Sequence, residues 1–151
     1  MPRALIVDDS RYQRFLIIQA LGERFTPDEA ANGREALDLF TTALEKGLPY
    51  DLIVMDILMP VLSGHDALAG IRGLEVAAGI TEDRRAPAVM LSSLDDPANM
   101  LRAQFESGAQ AYVTKPFTPA TLLEALASLG LADNPLGGES PDSEAIPCKP
   151  F

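Results

Sequence analysis

Three aspartates and one lysine stand directly after short apolar runs. Asp8 and Asp9 follow Ala4-Leu5-Ile6-Val7, and Lys115 follows Ala111-Tyr112-Val113-Thr114. Asp56 follows Leu52-Ile53-Val54-Met55 and precedes Ile57-Leu58-Met59-Pro60. A short apolar run bounded by turn signals is the mark of a buried strand. In an open α/β sheet the carboxyl ends of the strands are where ligands bind. Three acids and a lysine gathered at adjacent strand ends make a site for a divalent cation and a phosphoryl group.

Mg2+ suits such a pocket. It takes oxygen ligands in octahedral geometry and keeps several waters, so one or two carboxylates plus phosphate oxygens satisfy it. Asp9 and Asp56 can each donate one oxygen, and Asp8 can hold a coordinated water. The backbone carbonyl of Leu58, just past Asp56, can complete the protein's share, and Mn2+ or Ca2+ could substitute. An aspartate can also act as the nucleophile of phosphoryl transfer, giving an acyl phosphate, in a reaction that depends mainly on positioning and charge stabilisation. On this reading Lys115 binds a phosphoryl oxygen as a point charge. Ser92, at the end of a fourth apolar run, can bind another, and the small Ser93 leaves room for the group. Each element has a plainer reading when taken alone. Asp8-Asp9-Ser10 before a helix can be only a cap, Lys115 a solvated surface lysine, and Ser92 a turn former. What the plain readings do not cover is four separate strands with site-type residues at the same end.

Positioning these residues requires strands and helices in alternation. Strands are expected at 4–8, at Thr26–Ala30, and at 51–56, 87–92 and 110–114. Pro27 puts the second at an edge, because proline cannot donate to a central ladder. The first helix covers 10–22 with Ser10 as N-cap, and its run Phe15 to Ile18 with Leu21 is too apolar for a solvated helix. Asn32 and Glu35 have capping-box spacing and open a helix ending near Gly47. A third helix follows Ser63-Gly64, with Leu68, Ile71, Leu74 and Ala78 on one face. Asp96-Pro97 and Thr118-Pro119 are cap-then-proline signals for two more helices, one stopping at Gly108 and the last running through Leu129. Five such units imply a parallel sheet with right-handed crossovers and helices on both faces, and they fit the doubly wound strand order 2-1-3-4-5. The switch point of that order lies between strands one and three, where Asp8, Asp9 and Asp56 fall.

Composition narrows the possibilities. The chain has 151 residues, 47% of them hydrophobic, which fits one domain with a full core. Residues 1–132 are expected to form that domain. Residues 133–151, rich in proline, glycine and acid, read as a tail that is flexible or pinned in a groove through Leu136, Ile146 and Phe151. The net charge of −10 and the lack of a basic run argue against direct nucleic-acid binding. No apolar stretch reaches membrane-spanning length, and no signal-type segment opens the chain, so no membrane insertion and a cytoplasmic location are expected. Cys148 cannot form an internal disulfide, and the only histidine, His65, does not make it a catalytic thiol. His65 is read as a surface residue, as are Arg84 and Arg85.

Val7-Asp8-Asp9-Ser10, Met55-Asp56-Ile57-Leu58-Met59-Pro60, Leu91-Ser92-Ser93 and Thr114-Lys115-Pro116-Phe117 together resemble the signature of receiver domains of bacterial response regulators. Gly64 after the Met-Pro pair matches the loop of that family, and the resemblance covers about residues 3–131. It implies a flavodoxin-like fold in which Asp56 accepts phosphate from a sensor histidine kinase or a histidine phosphotransfer protein. Asp8, Asp9 and Asp56 then hold Mg2+, and Ser92 and Lys115 bind the phosphoryl oxygens. It further implies that Tyr112 is an aromatic switch and that the Lys115–Pro116 bond is cis. Leu58 and Leu94 occupy variable positions beside the path of an attacking water. Neither can orient that water, so slow self-dephosphorylation is expected.

The function expected is that of a phosphoacceptor switch, not a turnover enzyme. No output module follows residue 131, so the chain is expected to act as a single-domain regulator in the manner of chemotaxis regulators. Its partner would be bound through the face of the fourth helix, fifth strand and last helix, which could also form a homodimer. Two rivals are an Asp-nucleophile metal-dependent phosphohydrolase and a phosphate-independent interaction module. The first needs a second acid where Leu58 stands, and the second does not need the complete acid and lysine set.

Overall fold

The alternation of apolar runs and amphipathic segments is realised as one parallel sheet covered on both faces. A computed structural model of the chain describes residues 2–57, 59, 61–93 and 109–131. Its strands are β1 (Arg3–Val7), β2 (Thr26–Ala30), β3 (Leu52–Asp56), β4 (Ala88–Ser93) and β5 (Ala111–Lys115). Its α-helices are α1 (Arg11–Leu21), α2 (Gly33–Glu45), α3 (Gly64–Ala77) and α4 (Pro119–Ser128). The strand order is β2-β1-β3-β4-β5 and every pairing is parallel, as the sequence predicts. Pro27 lies on β2, an edge strand, opposite Ala4. The expected helix after Asp96-Pro97, Leu94 and the tail 133–151 lie outside the described residues.

The central strands are buried on both faces, which is why they read as continuous apolar runs rather than alternating ones. Leu5, Val7, Ile53, Met55 and Met90 pack on one side with Ala36 and Phe40 of α2 and Leu68 and Ile71 of α3. Ala4, Ile6, Val54 and Leu91 pack on the other with Ile17 and Leu21 of α1 and Leu122 and Leu126 of α4. Burying each of these large side chains contributes about 2 kcal/mol. Helix starts sit where side-chain caps set them. Ser10 Oγ accepts from Gln13 N–H at 3.2 Å and Asn32 Oδ1 from Glu35 N–H at 2.9 Å. Ser63 Oγ accepts from Asp66 N–H at 3.2 Å, and Thr118 Oγ1 from Thr121 N–H at 3.1 Å.

Three sequence expectations need correction. The fourth and fifth strands run one residue further than their apolar runs, because the ladder continues through Ser92↔Thr114 and Ser93↔Lys115. Ala78 is exposed and only caps α3, while Glu75 is carried inside. His65 is buried, at 2% exposure, not on the surface. Its helix begins at Gly64, whose missing side chain lets the first turn lie against the main chain of Asp56 and Ile57, and the neighbouring imidazole is carried under with it.

Two polar clusters hold the sheet at the end away from the carboxyl termini of the strands. Asp28 Oδ2 accepts from Arg3 Nη2 at 2.8 Å and from Tyr50 Oη at 2.6 Å, and the Arg3 guanidinium lies 4.5 Å above the Tyr50 ring. Burial and the bond to Asp28 push the Tyr50 phenol well up from its usual range. Glu75 pairs with Arg72 at 2.8 Å and accepts from Ala86 N–H at 2.8 Å, while Arg72 and Ala88 N–H both donate to Gln110 Oε1. These ties join β1 to β2 and α3 to β4 and β5, so the carboxyl ends that carry the acids and the lysine keep one register.

Candidate functional site

Register alone brings the sequence-selected residues together. Val7 pairs with Met55, so the residues that follow them, Asp8 and Asp56, come side by side at the ends of β1 and β3. Asp56 pairs with Leu91, and Ser92 is the next residue on β4. Lys115 ends β5 opposite Ser93, two strands from Asp56. The long lysine side chain spans that distance. Lys115 Nζ lies 3.2 Å from Asp56 Oδ1 and 3.2 Å from Asp8 Oδ2.

One carboxylate oxygen from each of Asp8, Asp9 and Asp56 can be chosen so that all lie within 4.8 Å of one another. Asp8 is fully buried and Asp56 nearly so, while Asp9 is exposed at the mouth. Burial raises the Asp8 pKa above its ordinary value, against the pull of the Ser10 N–H and of Lys115. For Asp56, burial first and the charge of Asp8 second push the pKa up to about 6, with Lys115 offsetting part of the rise. Burial would lower the lysine's pKa, but the two carboxylates outweigh it and hold Lys115 above its usual range. A pocket with three acids and one ammonium keeps an excess of negative charge in a partly dehydrated place. That is the donor set a hard divalent cation takes, since anionic oxygens there lack enough positive partners.

The approach to this pocket is built from tight backbone contacts. Asp8 N–H donates to Ala30 carbonyl O at 3.1 Å, and Ser10 N–H donates to Asp8 Oδ1 at 2.9 Å, so Asp8 serves both as a pocket acid and as part of the turn into α1. Ile57 N–H donates to Leu91 O at 3.1 Å and Gly64 N–H to Ile57 O at 2.8 Å, which seats the start of α3 behind Asp56. Val61, between them, holds φ at 72°, a left-handed backbone that a β-branched residue rarely adopts, and 77% of it is exposed. The Lys115–Pro116 bond is cis. Ser92 is buried at the end of β4. Tyr112 packs against the cluster that holds Met55 and Met90, and its hydroxyl is buried with no hydrogen-bond partner among the described residues. Burial raises its phenol pKa.

Asp8, Asp9, Asp56 and Lys115 are thus gathered in one pocket, with Ser92 on the strand between Asp56 and Lys115. The backbone carbonyl of Leu58 lies outside the described residues. Sequence reasoning overlooked Arg14, whose guanidinium touches the Asp8 main chain. With Arg11 and Gln13 beside it on α1, Arg14 carries no sequence signal that separates it from a solvated arginine.

The profile of the family described as response regulator receiver domain matches residues 4–127. The chain is 33% identical over 128 residues to the chemotaxis protein CheY of Halobacterium salinarum, covering 84% of this chain and 95% of that protein. It is 37% identical over 120 residues to the transcriptional regulatory protein ResD of Bacillus subtilis, covering 78% of this chain and 43% of that protein. Among solved structures, a chain of the complex between the Saccharomyces cerevisiae histidine phosphotransfer signaling protein Ypd1 and the receiver domain of its downstream response regulator Ssk1 is similar. It has 27% identity and a TM-score of 0.68, with 83% of this chain and 86% of that chain covered. Among the described residues no helix is long and apolar enough to cross a membrane.

Proposed function

The chain belongs to the response regulator receiver domain family, and on that premise we propose that Asp56 is its phosphoacceptor. The donor is a phosphohistidine of a sensor histidine kinase or a histidine phosphotransfer protein, the kind of protein found beside the receiver domain in the yeast complex. A carboxylate oxygen of Asp56 attacks phosphorus as the P–N bond breaks. The electron pair returns to the imidazole nitrogen, which takes up a proton, and the product is an aspartyl phosphate. Lys115, already 3.2 Å from Asp56 Oδ1, moves its charge onto a phosphoryl oxygen as the carboxylate charge is consumed. Ser92 supplies a hydroxyl to another oxygen.

Asp9 and Asp56 through their carboxylates, Asp8 through a coordinated water and Leu58 through its backbone carbonyl are the residues that would hold Mg2+. When bound, the ion neutralises charge on the phosphoryl oxygens. The protein does not turn over a substrate in this reading. It is a switch, and its phosphorylated form favours an altered face around β5 and α4. Ser92 drawn toward the phosphoryl group and Tyr112 held inward, where its hydroxyl is already buried, link the site to that face, and the phosphoryl group selects the state it binds better. The face controls a partner protein or a second copy of the chain. Residues 1–132 act as the phosphoacceptor domain in the cytoplasm, with 133–151 as a tail beyond it.

The observation that supports this reading most is Lys115 bridging Asp8 and Asp56 beside the three-carboxylate group. The test is labelling with acetyl phosphate and Mg2+, read as the added mass of one phosphoryl group. The wild type should be labelled and Asp56→Asn should not; label that persists in the variant overturns the assignment.

A further inference from the structure

The structure assigns a positioning role to Arg14, which we infer sets the Asp8–Asp9 peptide and through it the place of the Asp9 carboxylate. This inference rests on the phosphoacceptor reading of the pocket. Asp8 is held at every polar atom. Its N–H donates to Ala30 O at 3.1 Å, its Oδ1 accepts from Ser10 N–H at 2.9 Å, its Oδ2 from Lys115 Nζ at 3.2 Å, and its carbonyl O from Arg14 Nη1 at 2.7 Å. The last of these has a particular consequence. Asp9 is exposed, so the reach of its carboxylate depends on the backbone that carries it. The peptide linking Asp8 to Asp9 is planar, and a donor fixed on the Asp8 carbonyl therefore fixes the orientation of the Asp9 N–H and the direction to its Cα.

Arg14 can do this because it is itself fixed. Its Nε donates to Glu29 Oε1 on β2 at 2.8 Å while Nη1 holds the Asp8 carbonyl, and its side chain is only 13% exposed. A guanidinium is a rigid planar fork, so two acceptors from two different elements define its orientation; a lysine ammonium puts its donors on one atom at the end of a flexible stem and does not reproduce the separate Nε and Nη1 reaches to Glu29 and Asp8. The plain alternative is an ordinary surface ion pair between α1 and β2, which contributes little by itself. That alternative accounts for Nε and Glu29 but gives no role to the bond on the Asp8 main chain.

The two are separated by titrating the full 15N-labelled chain with Mg2+, following the amide shifts of residues 8–10, with thermal unfolding measured in parallel. Arg14→Ala should weaken Mg2+ binding by roughly tenfold, as loss of an outer partner commonly does in metal sites. Arg14→Lys should fall nearer to Arg14→Ala than to the wild type, and Glu29→Ala should weaken binding by a smaller factor. A surface ion pair would lower the melting temperature and leave the Mg2+ dissociation constant alone. If all three variants bind Mg2+ within about twofold of the wild type while Asp9→Asn does not, the role of Arg14 is overturned and the phosphoacceptor reading stands. If the wild type itself shows no Mg2+ shifts at these residues, that reading fails and the inference with it. Should Arg14→Ala not fold, Glu29→Ala and Arg14→Lys decide the question.

Discussion

Asp56 is under two opposed demands. As the proposed phosphoacceptor it must be ionised to attack phosphorus, yet burial and the neighbouring Asp8 raise its pKa to about 6. Lys115 offsets part of that rise, so the nucleophile is mainly anionic at neutral pH but strained electrostatically in the absence of a cation. On the proposed reading, the lifetime of the aspartyl phosphate depends on Leu58 and Leu94. Leu58 and Leu94 carry no group that can orient a water, so the acyl phosphate is expected to be long-lived. The double variant Leu58→Asn with Leu94→Glu should shorten its lifetime by roughly tenfold, a modest share of what a positioned polar group can contribute, measured as loss of the phosphorylated mass after the donor is removed. An unchanged or longer lifetime would contradict that role. At this scale the acids, the lysine and Ser92 were legible because each ends an apolar run. Arg14 and His65 were not, because an arginine or histidine on a helix looks alike in sequence whether it faces a carbonyl, the core or water.

Among the elements, α3 is the one most closely fitted to the site. A Cβ on Gly64 would stand 2.2 Å from the Asp56 carbonyl oxygen and 2.8 Å from the Ile57 Cα, and both are main-chain atoms that cannot rotate away. Gly64→Ala should therefore push the helix start off β3, destabilise the fold by about 2 kcal/mol as over-packing does, and slow labelling of Asp56. A urea midpoint and a labelling time course measure the two effects, and a variant that keeps both values would show that the contact relaxes freely. Sequence showed where α3 begins, from Ser63 as cap, but not how closely it approaches β3, since a glycine after a cap reads equally as a loop residue. The buried Glu75 was hidden for a related reason. On an amphipathic helix an acid normally marks the solvent side, and only its pairing with Arg72 and Ala86 N–H makes its burial tolerable.

For the molecule as a whole, the crowded acids couple stability to protons and to cations. The folded state binds a proton at Asp56 more tightly than the unfolded chain does, since the pKa rises from 3.8 to about 6. That contribution is fully present below the unfolded value and is lost as pH rises through about 6. Asp8 shifts in the same direction. Asp56→Asn should accordingly melt higher than the wild type at pH 7 without Mg2+, by on the order of 2 kcal/mol, and the gap should close toward pH 5. Added Mg2+ should raise the melting temperature of the wild type more than that of the variant. Thermal unfolding at the two pH values, with and without the ion, checks this; a gap that widens on acidification would show that the electrostatic balance is wrongly assigned.

What the sequence determined by itself was the alternation of elements and the residues standing at the strand ends, in an arrangement that one of the few doubly wound strand orders fits. Each follows from local periodicity, capping side chains and the few topologies open to βα units. What only the tertiary structure decided was contact: that Lys115 reaches past β4 to both acids, that Arg14 closes on the Asp8 carbonyl, that His65 and Glu75 lie inside. These depend on how far apart packed elements come to rest. That spacing is set by side-chain volumes summed over the whole core, a quantity no local stretch of sequence contains.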